Sequence, residues 1–308
     1  MTAIAAVFTA TGTQGSSVVH ALAERFGKSL TIRAFTRNPT APRTVAAFER
    51  YADKADIKPV KADIADPSSV KEALAGVNVV FANSNSFDGM EQEVDRMKKV
   101  IDIAKEAGVQ LFVWSTLPSP AKITEGRITT VDHFENKEKI QSYLEQSGLK
   151  WASTSLGFFA ENLVSYKLVK PTEDGAGYTI VFPVLKPESD VAWSWVEKDL
   201  GPAVAVLFKA HLDNTNPELF GKIWPVASYQ GSFKKVADII SARTGKPVSH
   251  MTPPHAGNEE MTSMSTFYNE KGLYPDATLP PAELKSLGAP FSTLEQFVDE
   301  ALLPSLQA

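Results

Sequence analysis

Short apolar runs alternate with longer amphipathic ones through the first half of the chain. Residues 3–8 are apolar almost throughout, the mark of a strand buried on both faces. A glycine-containing turn and an amphipathic helix over about 14–26 follow it. The alternation repeats with a strand at 30–35 and a helix at 40–51, then a strand at 57–61. Asp66-Pro67-Ser68 opens a short helix that runs to residue 74, because proline suits a first helical turn. A strand at 77–82 leads into a long helix at 91–107 that Gly108 ends. A strand at 109–115 precedes a helix at 133–146, ended by Gly148, and a sixth strand at 151–155. This alternation predicts an α/β fold built on a doubly wound parallel sheet. Right-handed crossovers gather the loops that follow the strands on one edge.

The pattern loosens after Gly157. Prolines thicken at Pro171, Pro183, Pro187, Pro202, Pro217 and Pro225, and strands no longer alternate cleanly with helices. Helices are predicted near 197–211, 232–244, 259–272 and 293–303. The chain therefore divides into a sheet domain over 1–156 and a smaller mixed C-terminal lobe over 157–308. Aromatic residues recur in the lobe, and most of them suit its core. Phe158, Phe159, Trp193, Trp195, Phe267 and Tyr268 are also candidate apolar walls of a substrate pocket.

Composition narrows the chemistry. A length of 308 residues suits about two domains. With 43% apolar and 22% charged residues, a sizeable core is available and wholesale disorder is excluded. There is no cysteine, so thiolate catalysis, disulfides and Cys-ligated metal are excluded, and redox chemistry requires a bound cofactor. The 31 Lys+Arg against 36 Asp+Glu give a net charge of −5, which argues against a general nucleic-acid-binding surface. No apolar run approaches the roughly 20 residues that span a bilayer. The first residues carry no basic stretch of the kind that opens a signal peptide. These features predict a cytoplasmic protein with no membrane partner, with the nucleus open to a regulator. They leave the oligomeric state undetermined.

The turn after the first strand reads Thr9-Ala10-Thr11-Gly12-Thr13-Gln14-Gly15. Gly12 falls where backbone must approach a pyrophosphate, and Gly15 where helix must pack on strand. The helix that follows offers free N–H groups and a positive dipole end to phosphate. Thr9 stands where the usual pattern has its first glycine, and a threonine there predicts a turn with φ below zero. The second strand runs into Thr36-Arg37-Asn38. An acid near this place would hold the ribose 2′-OH of NAD, whereas the Arg37 guanidinium can fork onto a 2′-phosphate. NADP(H) is thus expected over NAD(H).

Taken together, Thr9 to Gly15, Arg37-Asn38-Pro39, His133-Phe134-Glu135-Asn136-Lys137 and Gly157-Phe158-Phe159-Ala160-Glu161-Asn162 resemble the NmrA-like family of atypical short-chain dehydrogenases. The Val196-Glu197-Lys198-Asp199-Leu200-Gly201-Pro202 run resembles a further segment of that family. The resemblance implies a Rossmann-type domain and a smaller lobe with NAD(P) between them. It implies that Thr11, Gly12, Thr13 and Gln14 surround the pyrophosphate. Arg37 and Asn38 would take the ribose phosphate, and Asp63 and Ile64 would flank adenine. Asn83, Ser84 and Asn85 would border the nicotinamide side, Lys137 would hold its ribose, and Phe159, Glu161 and Asn162 would line its pocket. The family includes small-molecule reductases and nucleotide-sensing regulators.

Ordinary short-chain dehydrogenases place a Tyr and a Lys four residues apart on one helix face, with a Ser after a neighbouring strand. Here Lys137 is kept, the partner position is His133, and Ser115 ends the fifth strand. With an ordinary pKa near 6.5, an imidazole is a feasible proton donor, and Asp132 and Glu135 stand within reach to bias its charge. The bland alternative is a helix-start histidine that packs. His250 and His255 lack a third ligand, so no metal is expected. Two functions follow. One is an NADP(H)-dependent reductase of a small molecule, and the other is a non-catalytic NADP(H) sensor that controls a protein partner.

Overall fold

A computed structural model describes residues 2–307. The first half contains β1 (Ala3–Val7), α1 (Thr13–Phe26), β2 (Leu30–Thr36), α2 (Pro42–Glu49), β3 (Asp56–Lys61), α3 (Pro67–Leu74), β4 (Val79–Ala82), α4 (Met90–Glu106), β5 (Leu111–Thr116), α5 (Pro120–Ile123), α6 (Asp132–Gln146) and β6 (Trp151–Leu156). The second half adds β7 (Phe158–Phe159), α7 (Asn162–Ser165), β8 (Val169–Pro171), β9 (Tyr178–Val181), β10 (Asp190–Ser194), α8 (Val196–Leu212), β11 (Ile223–Val226), β12 (Tyr229–Ser232), α9 (Phe233–Thr244), β13 (Val248–Met251), α10 (Glu259–Glu270), α11 (Ala282–Ser286) and α12 (Leu294–Phe297).

Seven strands form one parallel sheet in the order β11-β6-β5-β4-β1-β2-β3. Val7 pairs with Ala34 of β2 on one side and Phe81 of β4 on the other. The strand order reverses at β1 and β4, which opens a crevice at their carboxyl ends. Side chains alternate across the strands, so each sheet face has its own core. One face packs Val7, Val113 and Leu156 beneath α1 and α8. The other packs Phe8, Phe112 and Trp114 beneath α3, α4 and α6. The six strands and five helices read from the first half are all present, and α5 is an additional short helix.

The linear division at residue 156 is crossed twice. β11 returns to the sheet edge beside β6, pairing Ile223 with Ser153 and Val226 with Leu156. Pro225 concealed this strand in the sequence. A proline has no N–H to give, and an edge strand tolerates that loss. α8 lies against α1 so closely that a Cβ on Gly201 would stand 2.1 Å from the Ser17 carbonyl oxygen. The Ser17 hydroxyl donates to the Val196 carbonyl at 2.7 Å and accepts the Gly201 N–H at 3.0 Å. The rest of the lobe holds two three-stranded sheets, β12-β10-β7 and β13-β9-β8. The predicted helix at 293–303 is α12 followed by a π-helical turn over Val298–Leu302.

The aromatic residues expected to wall a pocket are lobe core instead. Phe158, Trp193, Trp195, Phe267 and Tyr268 are all buried among one another and their neighbours. Phe158 meets Trp193 edge-on at 5.1 Å, and Trp195 meets Phe297 at 5.3 Å. The Trp193 indole N–H donates to the Gly231 carbonyl at 2.7 Å. Large aromatic side chains bury most area when they interlock.

Candidate active site

The turn after β1 sits at the sheet crevice. Thr9 has φ +47°, so it adopts the left-handed region despite its Cβ, contrary to the negative φ expected. Three contacts hold it there. The Gly12 N–H donates to the Thr9 carbonyl at 2.8 Å, and the Ala10 N–H donates to the Phe35 carbonyl of β2 at 3.0 Å. The Thr9 hydroxyl donates to Asn83 Oδ1, beyond β4, at 2.5 Å. The turn is thus tied to both neighbouring strands, which over-determines a costly backbone state. A Cβ on Gly15 would lie 2.2 Å from the Thr9 carbonyl oxygen, so only glycine lets α1 sit this close to the strand. Thr11, Gly12 and Thr13 are exposed at the start of α1. That helix has no side-chain cap and no acidic residue in its first turn. Gln14 Oε1 is buried without a hydrogen-bond partner. Free N–H groups and a glycine face together fit a dinucleotide diphosphate.

Arg37 follows β2 with its guanidinium exposed, and its Nη1 reaches Asp88 Oδ2 at 2.9 Å. Asn38 folds back onto Thr40, accepting its hydroxyl at 3.1 Å. Asp63 follows β3, where its Oδ1 accepts the Ala65 N–H at 2.9 Å, and Ile64 packs at the rim of the adjoining core. The turn, Arg37, Asn38, Asp63, Ile64, Asn83, Ser84 and Asn85 therefore line one carboxyl edge, at the ends of four adjacent strands.

Lys137 lies under that edge, on α6, and is buried. Its Nζ donates to the Ser84 carbonyl at 2.7 Å and the Ser84 hydroxyl at 2.6 Å, and pairs with Glu93 Oε1 at 2.9 Å. Three ammonium protons meet three acceptors. Glu93 also accepts from Ser86 at 2.9 Å, from Ser84 at 2.5 Å and from Asn136 at 3.3 Å. Burial raises the Glu93 carboxyl, but Lys137 and the two serine hydroxyls outweigh it and hold it below its ordinary range. Burial pushes the Lys137 ammonium down, with Glu93 opposing. Glu93 was not singled out in the sequence. The available signal was its place on α4 in register with Met97, Val100, Ile101 and Ala104, an acid within an otherwise apolar stripe.

His133 begins α6, one turn before Lys137. Its partner is neither Asp132, which is exposed, nor Glu135, which accepts from Ser119 at 2.7 Å and from the Ala121 N–H at 2.9 Å. The acid beside it is Glu260 of α10, whose Oε1 lies 2.6 Å from His133 Nδ1 and 3.0 Å from the His133 backbone nitrogen. Burial lowers the imidazole pKa, and Glu260 opposes that shift. Phe87 and Phe134 flank the ring, at 5.5 and 4.7 Å between centroids. Nothing near residue 133 in sequence announces Glu260.

Ser115 does not join this group. Trp114 and Thr116 of β5 touch the Lys137 carbonyl, through the indole N–H at 3.4 Å and the hydroxyl at 3.2 Å. Strand alternation turns Ser115 to the opposite face, with Leu111 and Val113 under α8. On the lobe side, Phe159 is half-buried against the sheet core. Glu161 Oε1 accepts the Glu197 N–H at the start of α8 at 3.0 Å, while its Oε2 is buried and unpaired. Burial raises the Glu161 carboxyl. Asn162 opens α7 beside it. Among the described residues, no three His, Asp or Glu side chains gather as a metal site, and no helix is long and apolar enough to cross a membrane.

The sheet order and the glycine turn at its switch point define a Rossmann-type α/β protein. The chain belongs to the NmrA-like family, whose model matches residues 1–298. It is 30% identical to the NmrA-like family domain-containing oxidoreductase cpsB of Aspergillus campestris, over 92% of this chain and 89% of that one. It is 30% identical to the NAD(P)H azoreductase of Xenophilus azovorans, over 78% of this chain and 74% of that one. Its fold is similar to that of NmrA, a negative transcriptional regulator solved in complex with NADP, with a TM-score of 0.80 at 18% identity, covering 99% of this chain and 97% of that one.

Proposed function

We propose that the protein is an NADP(H)-dependent oxidoreductase that reduces a small organic substrate in the cytoplasm. One observation carries this reading: His133 and Lys137 share one face of α6, and each is buried against its own carboxylate. A helix-surface lysine and a packing histidine need no such partners. The oxidoreductase and azoreductase relatives, and the NADP held by the structural neighbour, support it. Bound NADPH supplies hydride from its nicotinamide ring. The N–H groups at the start of α1 would hold the diphosphate, Arg37 would take the 2′-phosphate in place of Asp88, and Lys137 would exchange one of its Ser84 bonds for the nicotinamide ribose. His133 passes a proton to the substrate heteroatom as the neighbouring carbon is reduced.

The test follows NADPH absorbance against a panel of carbonyl, imine, activated-alkene and azo acceptors. Turnover that falls by about two orders of magnitude or more in Lys137→Ala and His133→Phe supports the reading. The sensor reading draws on a different observation, the burial of Phe158, Trp193, Trp195, Phe267 and Tyr268 within the lobe core. Tight NADPH binding without turnover on any acceptor, joined to a protein partner captured only in one redox state of the nucleotide, would establish it instead.

A further inference from the structure

We propose that Glu260 is a positioning residue for His133: it holds Nδ1–H and reserves Nε2 for proton exchange. The inference rests on the reductase reading, in which His133 is the proton donor. A single carboxylate oxygen, Glu260 Oε1, takes both the His133 ring nitrogen at 2.6 Å and its backbone N–H at 3.0 Å. The pair is largely shielded, with side-chain exposures of 12% and 20%. Among the described residues, His133 Nε2 has no hydrogen-bond partner. An ionised carboxylate accepts only, so Nδ1 must carry its proton, and the tautomer is set.

Glu260 comes from the C-terminal lobe, 127 residues away. α10 is docked along the segment before α6 by contacts independent of Glu260. Thr130 and Ser263 share a hydroxyl hydrogen bond at 2.6 Å, and Arg127 pairs with Glu270. The lobe thus completes the donor. The charged groups facing the imidazole are Glu260 on α10, Lys137 on α6 and Glu93 on α4. Two carboxylates favour the imidazolium, and burial and the ammonium oppose it. In the reducing direction, the imidazolium Nε2–H would give its proton to the substrate oxygen, and bound NADPH would supply hydride to the substrate carbon. The acceptor is reduced, the nicotinamide oxidised, and the neutral imidazole regains a proton from water.

The experiment is an NMR titration of the labelled His133 ring in the full chain, with NADPH-coupled turnover measured over the same pH range. It compares the unaltered protein with Glu260→Gln and Glu260→Asp. Removing the carboxylate charge in Glu260→Gln should move the ring pKa down, and the descending limb of kcat against pH should move to lower pH with it. At neutral pH, kcat should fall about tenfold, a fraction of the roughly 10²–10⁴ that general acid catalysis contributes. KM should hold within about twofold, and Glu260→Asp should restore most of the loss. Turnover by the unaltered protein with an unchanged ring titration in Glu260→Gln overturns the role of Glu260 alone. Absence of turnover in the unaltered protein, with the ring titration shifted as expected, overturns the reductase reading and the donor role with it.

Discussion

Lys137 and Glu93 form an ion pair at 2.9 Å that is almost wholly withdrawn from solvent, with side-chain exposures of 8% and 2%. Each carries the other's desolvation, and Ser84, Ser86 and Asn136 complete the remaining bonds. Removing one member leaves an uncompensated buried charge. Glu93→Leu should therefore destabilise the fold by about 3–5 kcal/mol, and the double substitution Glu93→Leu with Lys137→Met by markedly less. Denaturant unfolding of the three chains measures both; equal losses in the single and double variants would refute the pairing.

The same carboxylate gives the fold a definite pH dependence. The Glu93 carboxyl is held below its ordinary value of 4.5 in the folded chain. Its contribution is fully present above that value and is lost as pH falls through the folded one. Glu161 and Asp199 have the opposite sign, because burial raises both above their ordinary values of 4.5 and 3.8. Their ionisation weakens the fold as pH rises through the folded values. Glu93→Gln should flatten the acid limb of the stability curve relative to the unaltered chain, and Glu161→Gln should flatten the rise in instability above it. Urea midpoints taken across acid to neutral pH distinguish the two.

Arg37 is engaged by Asp88 rather than free. Both side chains are exposed, so the pair is weak, on the order of 1 kcal/mol or less. A 2′-phosphate must displace Asp88. Asp88→Asn should tighten NADP(H) binding by about fivefold at most and leave NAD(H) binding unchanged. Arg37→Asp should invert the NADP:NAD preference. Calorimetric titration with both nucleotides decides, and an equal change for the two would remove Arg37 from the 2′-phosphate site.

Gly15 permits the approach of α1 to the turn. Gly15→Ala places a Cβ where the Thr9 carbonyl oxygen stands 2.2 Å away. The helix must shift, at a cost of about 1–3 kcal/mol, and its N-terminal N–H groups shift with it. NADPH affinity should fall together with the thermal midpoint. A variant of unchanged midpoint and affinity would show that the helix start has slack.

The sheet domain was legible because its signals are local. Apolar runs, helix periods and glycine stops recur at short range, and the parallel order follows from crossover lengths. The turn, Arg37, His133 and Lys137 were legible for the same reason: motif spacing and the i, i+4 relation are properties of neighbouring residues. β11 was hidden by Pro225, and the return of α8 and β11 to the sheet from beyond residue 156 has no local signal.

The sequence alone determined most of the elements of the sheet domain, which helix carries His133 and Lys137, and that a glycine turn after β1 opens a helix. Tertiary structure alone decided what each functional side chain meets. Glu93 reaches Lys137 across 44 residues of chain and Glu260 reaches His133 across 127. It also turned Ser115 to the far face of the sheet, packed the lobe aromatics into a core and held Thr9 at positive φ between two strands. The physical reason is common to all of these. Burial and hydrogen bonding depend on which surfaces pack together, and distant segments meet only when the whole chain has closed its cores.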